Sequence, residues 1–226
     1  MLDRMLLSCR LASHMIVAGF VTFCLFGPAS AQGDLAGKNM LGGRIGPWFA
    51  EGLTAEVETE EVYVNTSSTA FHLEFFYTYN LTGPLYLDFN LGAVSRGDIS
   101  IEYKGLTAFG TAGVYPLGIG LRLFPLAAKK NQMVHPFISA GGSLVIGTET
   151  LRHVADDYLR TYLGYTTESR EALGWYAGVG VDLILGENFA LTFLGKYQHA
   201  KFGKELVGVK DFSGGQILIG AAYLYE

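Results

Sequence analysis

Six charged side chains are the residues of this sequence with the clearest capacity for chemistry. They alternate with apolar neighbours and fall into two sets of opposite sign: Arg44, Arg122 and Lys196 against Glu74, Asp88 and Asp182. Such groups can pair with one another in a shared interior, or they can line a narrow path for ions or small solutes. The near balance of charge favours mutual pairing, and the solute path is the alternative.

Two histidines, His72 and His135, have the same parity as these charges, but neither has the spaced partners of a metal site. The sequence therefore predicts no metal-ligating, cofactor-binding or catalytic residue, and no cofactor.

The N-terminal segment has the features of an export signal. Arg4 and Arg10 precede an apolar stretch over residues 15–26, and the small residues 29–31 follow. This order predicts a cleaved signal peptide, residues 1–31, with the mature domain over residues 32–226. The apolar stretch is too short to span roughly 30 Å of hydrocarbon, which argues against a membrane anchor.

Cleavage changes the composition that matters for function. Cys9 and Cys24 leave with the signal peptide, so the mature chain has no disulfide and no thiolate chemistry. Loss of Asp3, Arg4 and Arg10 moves the net charge from −5 to −6. A mildly acidic chain offers no electrostatic basis for binding nucleic acid.

Apolar residues of the mature chain alternate with small or polar ones. For example, Phe71, Leu73 and Phe75 alternate with His72 and Glu74, which is the period of a β-strand. The same pattern predicts eight strands, over residues 41–49, 71–81, 85–94, 117–124, 134–141, 173–185, 189–198 and 216–225. Pro116 conflicts with a spanning strand, so the fourth strand should begin later or contain a bulge there.

The connections between these strands alternate in length. Long connections are predicted at residues 50–70, 95–108, 148–172 and 201–213, and short ones at 82–83, 127–133 and 186–188. This alternation is typical of an outer-membrane barrel, in which turns are periplasmic and loops are extracellular. The fold class is therefore all-β: a closed, up-and-down, antiparallel transmembrane barrel of about eight strands. A soluble barrel or sandwich with an apolar ligand is the alternative. Residues 151–163 are predicted to form a short amphipathic helix.

Four segments resemble the small outer-membrane proteins of the OmpA/OmpX-like β-barrel family; they cover residues 40–49, 120–125, 134–142 and 178–191. The resemblance implies localisation in the bacterial outer membrane, with membrane lipid and the barrel assembly machinery as partners. Such proteins usually end on an aromatic residue, whereas here Tyr225 is followed by Glu226.

Residues 196–203 also resemble a stretch of the lipid A 3-O-deacylases, which are outer-membrane barrels. That resemblance implies a histidine and a serine one residue apart on the lipid-facing side. His199 fits the histidine position, but Lys201 stands where the serine is required. The sequence therefore predicts a protein that is not an enzyme, with acyl hydrolysis as a remote alternative.

The expected function follows from a barrel lumen that is filled by side chains. Eight strands leave a lumen that side chains just fill, and the inward positions carry large rings: Trp48, Phe76, Tyr86, Phe124, Phe137 and Tyr176. We therefore expect a barrel scaffold whose extracellular loops serve surface interaction or envelope integrity. The loop partner is not specified, and a narrow channel for small solutes is the alternative.

Overall fold

The computed structural model describes residues 35, 37–50, 62–65, 69–103, 106–125, 132–157, 160–206 and 209–226. The predicted signal peptide and most of the acidic connection at 50–70 lie outside the described residues. Within them, no helix is long and apolar enough to cross a membrane.

Eleven strands are described. They are β1 (Asn39–Ala50), β2 (Val62–Asn65), β3 (Thr69–Thr82), β4 (Leu85–Tyr103), β5 (Leu106–Leu123), β6 (Val134–Asp157), β7 (Arg160–Ile184), β8 (Phe189–His199), β9 (Lys201–Leu206), β10 (Val209–Asp211) and β11 (Gly214–Tyr225).

Eight long strands close into an up-and-down antiparallel barrel. The order β4-β3-β1-β11-β8-β7-β6-β5 is completed by pairing of β4 with β5, and the first strand pairs with the last. A closed barrel has no unpaired strand edge, which is what a hydrocarbon environment would require, because an unpaired backbone group there costs several kcal/mol. The predicted fold class is confirmed.

The alternation seen in the sequence separates the outside of the barrel from the inside. Phe71, Phe75 and Ile219 are exposed on the outer wall, whereas His72, Glu74 and Phe76 are buried in the lumen. An apolar outer surface around a closed barrel suits lipid and not water, because large exposed apolar surfaces are unusual on soluble monomers.

Two of the predicted long connections are wrong. Residues 95–103 continue β4 and 106–108 begin β5, while 148–157 and 160–172 extend β6 and β7. The pairing of β6 with β7 runs without a register shift from Val134↔Leu183 to Asp157↔Arg160. The helix predicted over residues 151–163 is therefore also wrong, because residues 151–157 and 160–163 pair with each other or with neighbouring residues of this hairpin.

The extended strands continue past the barrel wall as a sheet on the side opposite the short turns, which is the extracellular side in outer-membrane barrels. A spanning strand needs only about 9–11 residues, yet β6 has 24 and β7 has 25. The upper parts of β4 and β5 pair with each other, β5 pairs with β6, and β2 adds to β4. We call this upper part of β2, β4, β5, β6 and β7 the extracellular sheet.

Pro116 lies inside β5, and both expectations about it are wrong. The strand begins ten residues earlier, at Leu106, and the register with β6 continues unbroken through Pro116↔Val145. Its ring lies against Gly92 on β4, where a Cβ would approach Pro116 Cγ to 2.8 Å. Glycine at this position therefore makes the room that the proline ring needs.

Candidate functional site: the filled lumen

The first part of the lumen is an ion-pair cluster around Glu74. Arg44 and Glu74 are register partners on β1 and β3, and Arg44 Nη2 lies 2.9 Å from Glu74 Oε1. Lys196 reaches the other carboxylate oxygen from β8. One carboxylate thus serves two buried cations contributed by two other strands.

A second cluster surrounds Arg122. Its Nη2 donates to Asp88 Oδ1 at 2.7 Å, and its Nη1 lies 3.7 Å from Asp182 Oδ2. The guanidinium also lies over the ring of Phe137, 4.4 Å from its centroid. The structure thus places all six charged residues singled out in the sequence inside the barrel and groups them into two paired clusters.

Pairing is what makes these charges tolerable in the lumen. An isolated ion buried away from water costs several kcal/mol, and a buried pair offsets this only with good geometry. Aromatic rings complete the layer, since Arg44 stacks 3.9 Å from the centroid of Phe76. We call the two clusters and these rings the charged layer.

Apolar side chains close the lumen on the periplasmic side of the charged layer. Tyr86 and Phe124 pack edge to face with centroids 5.0 Å apart. Leu35, from the segment before β1, is fully buried here, and its carbonyl accepts a hydrogen bond from the Tyr86 hydroxyl at 2.8 Å. This periplasmic plug also includes Met40, Ile184, Leu194, Leu218 and Leu224, and it borders the charged layer at Phe137.

A second apolar plug closes the extracellular side. The β9–β10 hairpin is a separate two-stranded sheet, and it buries Phe202, Leu206, Val209 and Phe212. A Cβ at Gly147 on β6 would overlap Leu206 and lie 2.9 Å from Phe202 Cζ, so the hairpin side chains reach past β7 to that glycine. This extracellular plug also includes Trp48, Val94, Val114 and Val145.

Sequence reasoning missed both ends of this arrangement. Leu35 lies before the first predicted strand, and residues 201–213 were expected to be a loop. Only a partial signal for the hairpin was present: Phe202 and Leu206 share one parity opposite Lys201 and Glu205, but Lys204 interrupts the alternation between them.

The two buried histidines, His72 and His135, contact neighbouring side-chain and backbone groups of the barrel. His72 packs edge to face on Trp48, with ring centroids 5.3 Å apart. His135 Nε2 lies 2.7 Å from the carbonyl oxygen of Gln132. In the described part of the chain, no group of three or more His, Cys, Asp or Glu residues is placed to hold a metal ion.

His199 lies outside the lumen, at the extracellular rim. It has no serine at position 201, but its Nδ1 lies 3.0 Å from the hydroxyl of Ser213, the residue that precedes β11. This serine is buried, and its hydroxyl also accepts the backbone N–H of Ala200 at 3.1 Å. The pairing joins residues 14 apart in the chain and was not predicted.

Known proteins provide an independent comparison for the fold. Neither a protein-family model nor a curated protein sequence matches this chain. Solved structures similar to it in fold include three outer-membrane proteins. OprG of Pseudomonas aeruginosa is 15% identical with a TM-score of 0.54 and covers 87% of this chain and 100% of its own. A major outer membrane protein of Thermus thermophilus is 14% identical with a TM-score of 0.55, covering 83% and 98%. Neisserial surface protein A is 12% identical with a TM-score of 0.50, covering 84% and 98%.

At such low identity the likeness concerns the fold, and the apolar outer wall and closed strand order agree with it. The chain therefore has the closed, eight-stranded, up-and-down fold of small outer-membrane β-barrels.

Proposed function

We propose that this protein is a closed outer-membrane scaffold that holds the extracellular sheet above the bilayer for surface interaction or envelope integrity. The observation that carries the proposal is the continuous filling of the lumen. The periplasmic plug, the charged layer and the extracellular plug follow one another along the barrel axis, and each contains fully buried large side chains.

Three barriers in series make transport unfavourable. An ion entering either mouth meets an apolar plug before it reaches the charged layer, and it loses hydration there without gaining a partner. Within the charged layer, Glu74 and Asp88 already have cationic partners at 2.9 and 2.7 Å. A permeating ion would have to displace those partners.

The extracellular sheet is the part of the molecule left for interaction. Continuous backbone pairing from the barrel wall to Asp157↔Arg160 holds β6 and β7 upright. A paired sheet loses less conformational entropy on binding than a flexible loop would. We propose that its partner is another envelope or surface component.

One observation favours the narrow solute channel as a second candidate. Within the described residues, the Nε and Nη1 atoms of Arg44 and the indole nitrogen of Trp48 are buried donors without a protein acceptor. Buried donors are nearly always satisfied by protein or by ordered water. A file of water past these groups would provide a conducting path.

Planar bilayer recordings test the proposal against this alternative. We expect the refolded protein to show no stable conductance steps. Phe202→Ala thins only the extracellular plug and Tyr86→Ala only the periplasmic plug, so each single variant should stay silent because the remaining barriers still close the lumen. A known open porin recorded in the same bilayers verifies the sensitivity. Reproducible steps in the unsubstituted protein, lost on denaturation, would contradict the scaffold and support the channel.

A further inference from the structure

A polar cluster lies on the outer wall of the barrel, where a lipid-facing surface is expected to be apolar. His199 ends β8, and its register partner on β7 is Trp175. Both lie on the outer face of the barrel, as exposed residues such as Val179 and Ile217 do. The long hairpins are at this end and the short turn at Gly83 is at the other, so the cluster lies at the extracellular boundary of the apolar band.

The cluster is held in place on two sides. The Trp175 and His199 rings stack with centroids 5.7 Å apart and an angle of 23° between their planes. On the other side the buried Ser213 hydroxyl lies 3.0 Å from His199 Nδ1. Within the described residues no hydrogen bond engages Nε2, so this is the imidazole nitrogen left for a ligand.

Asp211 holds Ser213 in position through a hydrogen bond. Its Oδ1 accepts the backbone N–H of Ser213 at 2.9 Å. Burial raises the pKa of Asp211, but hydrogen bonds from Ser213 and the charge of Lys201 outweigh that effect, and the pKa lies below its ordinary value. The Asp211 carboxylate is thus ionised at neutral pH, and its partners are Ser213 and Lys201.

Cationic groups face outward beside this cluster. Lys201 Nζ forms an ion pair with Asp211 Oδ2 at 3.9 Å, longer than a hydrogen bond, and the Lys201 side chain is 57% exposed. The hairpin also presents Lys204 and Lys210, so its three lysines exceed Glu205 and Asp211 by one positive charge, in a chain whose net charge is −5. Lysine ammonium and imidazole N–H groups at a bilayer boundary are the donors that anionic headgroups use.

We propose that Trp175, His199 and Lys201, supported by Ser213 and Asp211, form a binding site for the phosphate of an outer-leaflet lipid. The Lys201 ammonium and His199 Nε2 donate to the phosphate oxygens. The exposed ring of Trp175 lies at the depth of the headgroup, as aromatic residues at membrane boundaries do. This site does not depend on whether the lumen conducts.

Native mass spectrometry of the full chain in phosphatidylcholine nanodiscs tests the proposal. Dioleoylphosphatidic acid, a phosphate monoester, is the probe, and dioleoylglycerol is the phosphate-free control. We expect retention of the probe over the control, and a loss of about tenfold or more in affinity for the double variant His199→Gln with Lys201→Gln. Lys204→Gln removes the same charge from the same hairpin outside the cluster, so it should change affinity by less than about twofold.

A measurement on the unsubstituted protein keeps the proposal testable if the variant does not refold. Titration with the probe should shift the ¹⁵N signal of His199 Nε2, and dioleoylglycerol should leave it unchanged. Equal retention of both lipids, or equal losses in Lys204→Gln and in the double variant, would overturn the site and indicate only diffuse attraction to the hairpin.

Discussion

Replacing Glu74 with glutamine is expected to lower the free energy of unfolding by about 3–5 kcal/mol, the usual effect of removing one partner from a buried charge pair. The carboxylate serves both Arg44 and Lys196. Its neutralisation leaves two fully buried cations without a counter-charge while changing side-chain volume very little. Urea unfolding of the refolded protein in lipid vesicles, followed by tryptophan fluorescence, measures the effect.

An exposed ion pair provides the matched control. Glu168 lies 2.7 Å from Arg170 Nη2 with its side chain 54% exposed, so Glu168→Gln should cost no more than about 1 kcal/mol. Equal effects of the two substitutions would show that bulk-like water solvates the charged layer. That result would weaken the filled-lumen scaffold and favour the channel.

Replacing Ile219 with arginine is expected to cost about 2–4 kcal/mol, because a cation would face hydrocarbon near the bilayer midplane. Ile219 lies halfway along β11 on the outer wall, between Ile45 and Phe193 of the neighbouring strands. Its side chain is exposed in the isolated barrel. The same unfolding measurement in vesicles reports the change.

Depth in the membrane provides the control for this second variant. Tyr223 has the same outward parity four residues later on β11 and stacks on Tyr225 near the periplasmic end. Tyr223→Arg should cost only about 0–1 kcal/mol, as expected near the interface. A similar cost at both positions would mean that this wall does not face a bilayer, and the soluble-barrel alternative would return.

Which residues of a strand share a face could be predicted from the sequence, because the alternation of side chains is a local property of the strand. Successive side chains of a strand point to opposite faces, whatever the strand pairs with. Parity therefore placed Arg44, Glu74 and Phe76 on one face and the Leu, Ile and Phe residues on the other. The alternating lengths of the connections, typical of a membrane barrel, then indicated that the apolar face is the outer one.

Strand length depended on partners and could not be derived in the same way. The upper parts of β6 and β7 do not need the alternation that lipid imposes, so their residues read as a loop or a short helix. They are strands because β6 and β7 pair with each other and β6 also pairs with β5. Pro116 is a similar case, since only the adjacent Gly92 shows how its ring is accommodated.

The sequence by itself determined the number of barrel strands and which residues of each predicted strand share a face, because alternation along a strand is encoded residue by residue. Tertiary structure decided which charges pair, how Leu35 and the β9–β10 hairpin close the two ends, and that His199 meets Ser213. These contacts join residues that are far apart in the chain. Strand register brings some of them together, and the folding of Leu35 and of the β9–β10 hairpin into the lumen brings together the others, so no pattern within a single segment specifies them.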